Sequence, residues 1–136
     1  MLRSLVGSEM CIRDRVMALN RGKLSDVHQV GAGTSVGIVT VTSNNKIYVK
    51  SIICHAPGTG ITTGTAQVYY CPSGITSSHT NKIFDVDVLS GETVLLEPSY
   101  PIVLESTGDQ LVVGTGNVTG VAATHINFMV TGDKEV

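Results

Sequence analysis

From Ser35 onward the chain breaks into short runs in which apolar and polar positions alternate with a period of two, separated by clusters of Gly, Pro, Asn and Ser. Side chains of an extended strand point alternately to opposite faces, so this rhythm predicts strands with one buried and one outward face. Val36, Ile38, Val39 and Val41 form the first, ended by Ser43-Asn44-Asn45-Lys46, a turn of the kind that tolerates positive φ. Ile47 to His55 follows, with Ile47, Val49 and Ile53 expected on one face and Tyr48, Lys50, Ile52 and Cys54 on the other. These two strands are expected to pair as a hairpin. After a loop at Pro57 to Gly64, Ala66, Val68 and Tyr70 share a face opposite Gln67, Tyr69 and Cys71, and Pro72-Ser73-Gly74 stops the run. Alternation is clearest where Phe84, Val86 and Val88 interleave with Asp85 and Asp87. Gly91 opens a run through Val94 and Leu96, and Pro98 and Pro101 break the chain before Ile102 to Glu105. Thr107-Gly108-Asp109 turns into Leu111 to Val113, and Ile126, Phe128 and Val130 face inward on a final strand. Helical spacing is sustained nowhere. About eight short strands predict an all-β fold, an antiparallel β-sandwich of jelly-roll type.

The flanks differ in kind. Asn20-Arg21-Gly22-Lys23 and Ser25-Asp26-Val27-His28-Gln29 show neither alternation nor a helical stripe, so residues 17–34 are expected to form an N-terminal arm. Such an arm is either disordered or docks on a neighbouring subunit. The sandwich then spans residues 35–132, with a tail at 133–136. At the start, Leu5-Val-Gly-Ser-Glu-Met-Cys-Ile-Arg-Asp14 resembles one reading frame of a transposase-type sequencing adapter translated along with the gene. A secretory signal would need an apolar run where Glu9, Arg13 and Asp14 stand. Residues 1–16 are therefore set apart as adapter-derived, with Met17-Ala18 the expected natural start. The roughly 120 residues that follow suffice for one core and are too few for two domains.

Leaving out residues 1–15 reduces nine basic groups to six and eleven acidic groups to nine, moving the net charge from −2 to −3. Binding nucleic acid through phosphate neutralisation needs clustered Lys and Arg, which this chain lacks. Its longest apolar stretches, such as Ile52-Ile53-Cys54, fall far short of the roughly 18 residues of a membrane helix. Only 15% of residues are charged, against about a quarter in ordinary solvated domains. Much of the surface must then be Thr, Ser, Asn, Gly and small apolar groups, as where neighbouring subunits cover it. Cys11 belongs to the adapter-like segment, leaving Cys54 and Cys71. Two cysteines are not a disulfide framework, and buried free thiols are the expected state, with a Cys54–Cys71 bridge open only if their strands are neighbours.

Motifs that carry chemistry are missing. His28, His55, His79 and His125 lie in separate segments without metal-ligand spacing. Asp85 and Asp87 share a strand face at about 7 Å, a spacing compatible with Ca²⁺ or acid–base work, but a solvated face explains them. Gly58-Thr-Gly-Ile-Thr-Thr-Gly64 and Gly114-Thr-Gly-Asn-Val-Thr-Gly120 share one pattern and read as hairpin tips; neither ends in the Gly-Lys-Ser/Thr of a phosphate cradle. Gly31-Ala32-Gly33 fails the dinucleotide pattern, which needs a third Gly where Val36 stands. Asn117-Val118-Thr119 is formally a glycosylation acceptor, without meaning unless the chain is secreted. No catalytic, cofactor-binding or metal-binding residue is assigned, and no cofactor or small-molecule substrate is expected.

The succession Ile47 to His55, Ala66-Gln-Val-Tyr-Tyr70, Gly91-Glu-Thr-Val94, Pro101 to Asp109 and Ile126-Asn-Phe-Met-Val130 resembles small β-sandwich virion proteins of tailed phages, marine ones in particular. The resemblance spans residues 35–132 and rests on strand rhythm and the Leu104-Glu105 to Gly108-Asp109 turn. It implies a non-enzymatic head-decoration, neck or tail component, made in the host cytoplasm without a signal peptide. Such a component acts in the virion by self-association and contact with other virion proteins, not with nucleic acid or membrane. The alternative is a carbohydrate-binding or adhesin-type sandwich. It would stack sugars on exposed aromatics, for which this chain offers four Tyr and two Phe but no Trp. An enzyme ranks below both.

Overall fold

The computed structural model describes residues 19–31, 33–43, 45–57, 63–116 and 125–135. The adapter-like segment, most of the Gly58–Gly64 loop, the second half of the Gly114–Gly120 loop and the Asn117 acceptor lie outside the described residues. Among the described residues there is no helix, and ten strands run as β1 (Leu19–Lys23), β2 (His28–Gly31), β3 (Thr34–Thr40), β4 (Ile47–His55), β5 (Thr63–Cys71), β6 (Lys82–Leu89), β7 (Thr93–Leu96), β8 (Ile102–Leu104), β9 (Gln110–Thr115) and β10 (His125–Glu135). They form two antiparallel sheets. In the first, β10 and β4 lie at the centre; β1 and β2 share the edge along β10, and β7 and β8 share the edge along β4. The second has the order β3-β9-β5-β6. The chain crosses between the sheets at six of the nine connections and stays within one sheet at β1–β2, β5–β6 and β7–β8, a jelly-roll arrangement in keeping with the predicted sandwich.

Between the sheets sits one core. Phe128, Ile52, Leu104, Leu111 and Ile126 are its largest fully buried side chains, and Val49, Val68, Val113 and Val130 fill the space between them. β-Branched residues suit this position because their stiff side chains pack well on a pleated surface. Phe84 and Val86 on β6 pack against the core while Asp85 and Asp87 point out, and Ile126, Phe128 and Val130 are buried as expected.

Four expectations need correction. The strands β3 and β4 are not a hairpin: β3 pairs with β9 in one sheet, and β4 with β10, β7 and β8 in the other. The connection forms a corner, because Val41 is buried and exchanges backbone hydrogen bonds with Gly108 and Asp109, directing the chain across the sandwich. Ser43, at φ 55°, takes a left-handed conformation in this Asn-rich turn. The span read as an arm instead supplies β1 and β2. Its pattern was silent because β1 is an edge strand with every side chain exposed, held by backbone pairing to β10. Likewise the expected tail is strand, since β10 continues to Glu135 with Asp133 buried.

The fourth correction concerns the phase of β4. Ile47 and Val49 face the core, but so do Ile52 and Cys54, while Ile53 turns outward. A bulge explains it: Ser51 pairs with Thr131 and Val49 with Gly132, leaving Lys50 as the extra residue. One inserted residue shifts the two-residue period and exchanges the faces. The bulge depends on Gly132, where a Cβ would run into the carbonyl oxygen of Tyr48.

Candidate functional site

Residues singled out for their chemistry lie apart. His28 sits on β2, His55 at the end of β4 with Nδ1 2.9 Å from Thr93 Oγ1, His79 in the β5–β6 loop and His125 at the start of β10. Among the described residues, no three His, Cys, Asp or Glu side chains are grouped to hold a metal ion. Asp85 accepts a hydrogen bond from Lys82 Nζ at 3.0 Å, and Asp87 accepts one from the Thr65 hydroxyl at 3.2 Å. Both carboxylates are thus engaged with neighbours across or along β6. Cys54 and Cys71 are buried, unbridged, and belong to different sheets. Burial pushes the Cys54 thiol up to about 12 and raises that of Cys71, so neither is poised as a nucleophile.

A heavily engaged polar side chain is one the sequence marked only as part of a turn. Asp109 is 7% exposed. Its Oδ1 accepts the Ser73 N–H at 3.1 Å, and its Oδ2 accepts those of Ser106 at 3.0 Å and Glu105 at 3.3 Å, with the Tyr70 hydroxyl at 3.5 Å. Its backbone carbonyl accepts from Val41 N–H. One residue thereby ties the β3–β4 corner, the β5–β6 loop and the β8–β9 turn together at one end of the sandwich. The Ser106 N–H, followed by those of Ser73 and Glu105, holds the carboxyl below its ordinary value, against the opposing effect of burial. In the same contact, burial and then the Asp109 charge raise the Tyr70 hydroxyl. This is a structural clasp, and its place in the Leu104–Asp109 turn explains that turn's fixed shape.

Surfaces are more informative than side-chain chemistry. On the outer face of the first sheet, Met129, Ile53 and Leu95 stand directly opposite one another across β10, β4 and β7, and Tyr48 stands opposite Val103. Leu95 is 52% exposed. Beside this apolar row, Asp133 is flanked by Lys50 Nζ at 2.7 Å and Arg21 Nε at 3.8 Å. The second sheet carries a different feature, a shallow groove of about 230 Å³ that includes Ser35, Gln67, Tyr69, His79 and Lys82. Tyr69 donates to Gln67 Oε1 at 2.9 Å, and the Lys82 ammonium lies 5.8 Å from the Tyr69 ring centre. A larger cleft of about 290 Å³ opens between the edge strands β1 and β3.

No protein-family model matches the sequence, and no curated protein matches it. Solved structures with similar chains include two. One is of the Bacillus endospore appendages, described as a family of disulfide-linked pili. It shows 15% identity and a TM-score of 0.50, over 88% of this chain and 89% of that chain. The other is of the infectious bursal disease virus Gx strain, with 11% identity and a TM-score of 0.44, over 85% of this chain and 30% of that chain. At these identities the likeness is one of architecture: this chain has an all-β sandwich fold of a kind also found in a pilus-forming protein.

Proposed function

We propose that the chain is a non-enzymatic structural protein of a virion, a head-decoration, neck or tail component of a tailed phage, acting by self-association and contacts with other virion proteins. The observation that carries this reading is the apolar row Met129–Ile53–Leu95 with Tyr48–Val103 on an outer sheet face. A face turned to water in an antiparallel sandwich is ordinarily polar, so apolar side chains aligned on it point to a contact site. The scarcity of charge, 15% of residues, supports the same reading. So does the fold's likeness to a protein of appendages. Native mass measurement on the full chain over a range of concentrations tests it: oligomers are expected, and a monomer at every concentration would count against it.

A second reading is favoured by the groove on the other sheet. Its Tyr69 ring, with Gln67, His79 and Ser35 beside it, has the mixture of an apolar platform and hydrogen-bonding groups that suits a neutral sugar. Binding to a glycan array by the full chain, lost in Tyr69→Ala, would support a carbohydrate-binding module over a virion component.

A further inference from the structure

Charge is distributed unequally between the two lateral edges of the sandwich. Of the six cations from Arg21 onward, five stand on or beside β1, the end of β10 and the start of β4: Arg21, Lys23, Lys46, Lys50 and Lys134. Three acids accompany them there, namely Asp26, Asp133 and Glu135. The edge formed by β6, β7 and β8 has the opposite balance. Asp85, Asp87, Glu92, Glu97 and Glu105 stand on or beside those strands, with Lys82 the lone cation among the described residues there, and it is bound to Asp85.

Shape follows the same division. The cleft between β1 and β3 has a buried apolar floor of Ile38, Val39 and Ile47 and a rim that includes Arg21, Lys23 and Lys134. It lies where the two sheets part, between their edge strands. The acidic edge offers the reverse: Leu89 projects with 51% exposure at the end of β6, with Asp87 before it and Glu92 after it. The turn between them is fixed, since Gly91 at φ 82° permits it and the Glu92 N–H donates to the Leu89 carbonyl at 2.9 Å.

We infer that the cationic cleft between β1 and β3 receives the acidic β6–β7 edge of a second copy of this chain, with Leu89 over the apolar floor and Asp87 and Glu92 facing the cationic rim. This rests on the self-association proposed above and names its surface. The two patches differ, so the contact is heterologous: each copy presents one cleft and one acidic edge, and the contact repeats into a ring or an open row. Steering between opposite charges also makes the contact sensitive to salt. The outer face bearing Met129, Ile53 and Leu95 stays available to other proteins.

Two full-length variants test this. Lys23→Glu with Lys134→Glu reverses the rim, and Asp87→Lys with Leu89→Lys reverses the acidic edge; each leaves the other patch intact. Circular dichroism and thermal unfolding verify that both fold as the parent does. If the inference holds, the parent forms oligomers that dissociate in high salt, and each variant alone is a monomer. An equimolar mixture then combines into a hetero-oligomer, because the intact cleft of one variant meets the intact acidic edge of the other. Oligomers in both variants matching the parent's would overturn the assigned surface while leaving self-association in place. Two monomeric variants that fail to combine would also overturn it. A monomeric parent would overturn both this inference and the reading beneath it.

Discussion

Asp109 offers the sharpest test of how the sandwich is held together. Replacing it by alanine removes the acceptor for three backbone N–H groups, those of Ser73, Glu105 and Ser106, and for the Tyr70 hydroxyl. Hydrogen bonds to a charged partner contribute about 1.5–3 kcal/mol each. Ser73, Glu105 and Ser106 are exposed residues, so water can reach their freed N–H groups, and about 1 kcal/mol for each is the appropriate scale. The loss is then about 3 kcal/mol, roughly 10 °C in Tm for a domain of this size. Asp109→Asn keeps one acceptor oxygen but turns an NH₂ toward the remaining donors, and should cost about 2 kcal/mol.

The pH dependence separates a charged clasp from mere packing. The folded-state carboxyl lies below its ordinary value, so it holds its proton less tightly in the folded chain than in the unfolded one. Its stabilisation is therefore complete above the ordinary carboxyl pKa of about 4 and is lost as pH falls through that value toward the lower folded one. Urea unfolding of parent and Asp109→Asn from pH 7 to pH 3 reads this directly. The gap between the two curves should narrow below pH 4. A gap that stays constant to pH 3 would refute the claim that the ionised carboxylate, rather than its shape, closes this end of the sandwich.

Other substitutions probe separate features. Gly132→Ala should destabilise by about 3 kcal/mol in chemical denaturation, because the added Cβ meets the Tyr48 carbonyl, which the bulge holds in place. Phe128→Ala, in the centre of the core and fully buried, should cost about 3–5 kcal/mol by the same measurement. In the native protein Cys54 should resist alkylation at pH 8, read by mass mapping of its peptide, because burial keeps its thiol protonated. Stability should also decline as pH rises above about 8.5, where an unfolded thiol ionises and the folded one does not. Met129→Lys with Ile53→Lys should leave the monomer's Tm within about 2 °C of the parent, since both side chains point outward. On the proposed function, this pair should abolish incorporation into virions, read by immunoblotting purified particles.

The strands most legible in the sequence were those with one face in the core. Phe84, Val86 and Val88, and again Ile126, Phe128 and Val130, alternate because every second position must leave water. What remained hidden has physical causes. β1 presents Leu-Asn-Arg-Gly-Lys to solvent at every position and is ordered by backbone pairing to β10, so its side chains carry no period. The bulge at Lys50 exchanged the faces of β4, a change disguised by the run Ile52-Ile53-Cys54, which puts apolar side chains on both faces beyond it. Partner choice was equally obscure. Neighbouring strands in the chain suggest hairpins, whereas here β3 finds β9 and β4 finds β10, pairings between 70 and 87 residues apart. As for Asp109, a carboxylate satisfied by the N–H groups of loops has no signature beyond the turn it ends.

The residues that concealed β1 from its pattern are also those that shape the cationic cleft. Arg21 and Lys23 are exposed on an edge strand, and the cleft exists because β1 and β3, on different sheets, part instead of pairing. Edge strands that carry charge resist indiscriminate pairing with other chains. A cationic edge thus excludes most strands and admits one whose flanks are acidic, which this chain carries on its opposite side. Specificity of assembly and protection against aggregation then arise from the same side chains. Reversing the charges of Lys23 and Lys134 should consequently change the mass of the assembly and leave the unfolding transition of the monomer nearly in place, whereas Asp109→Ala should do the opposite.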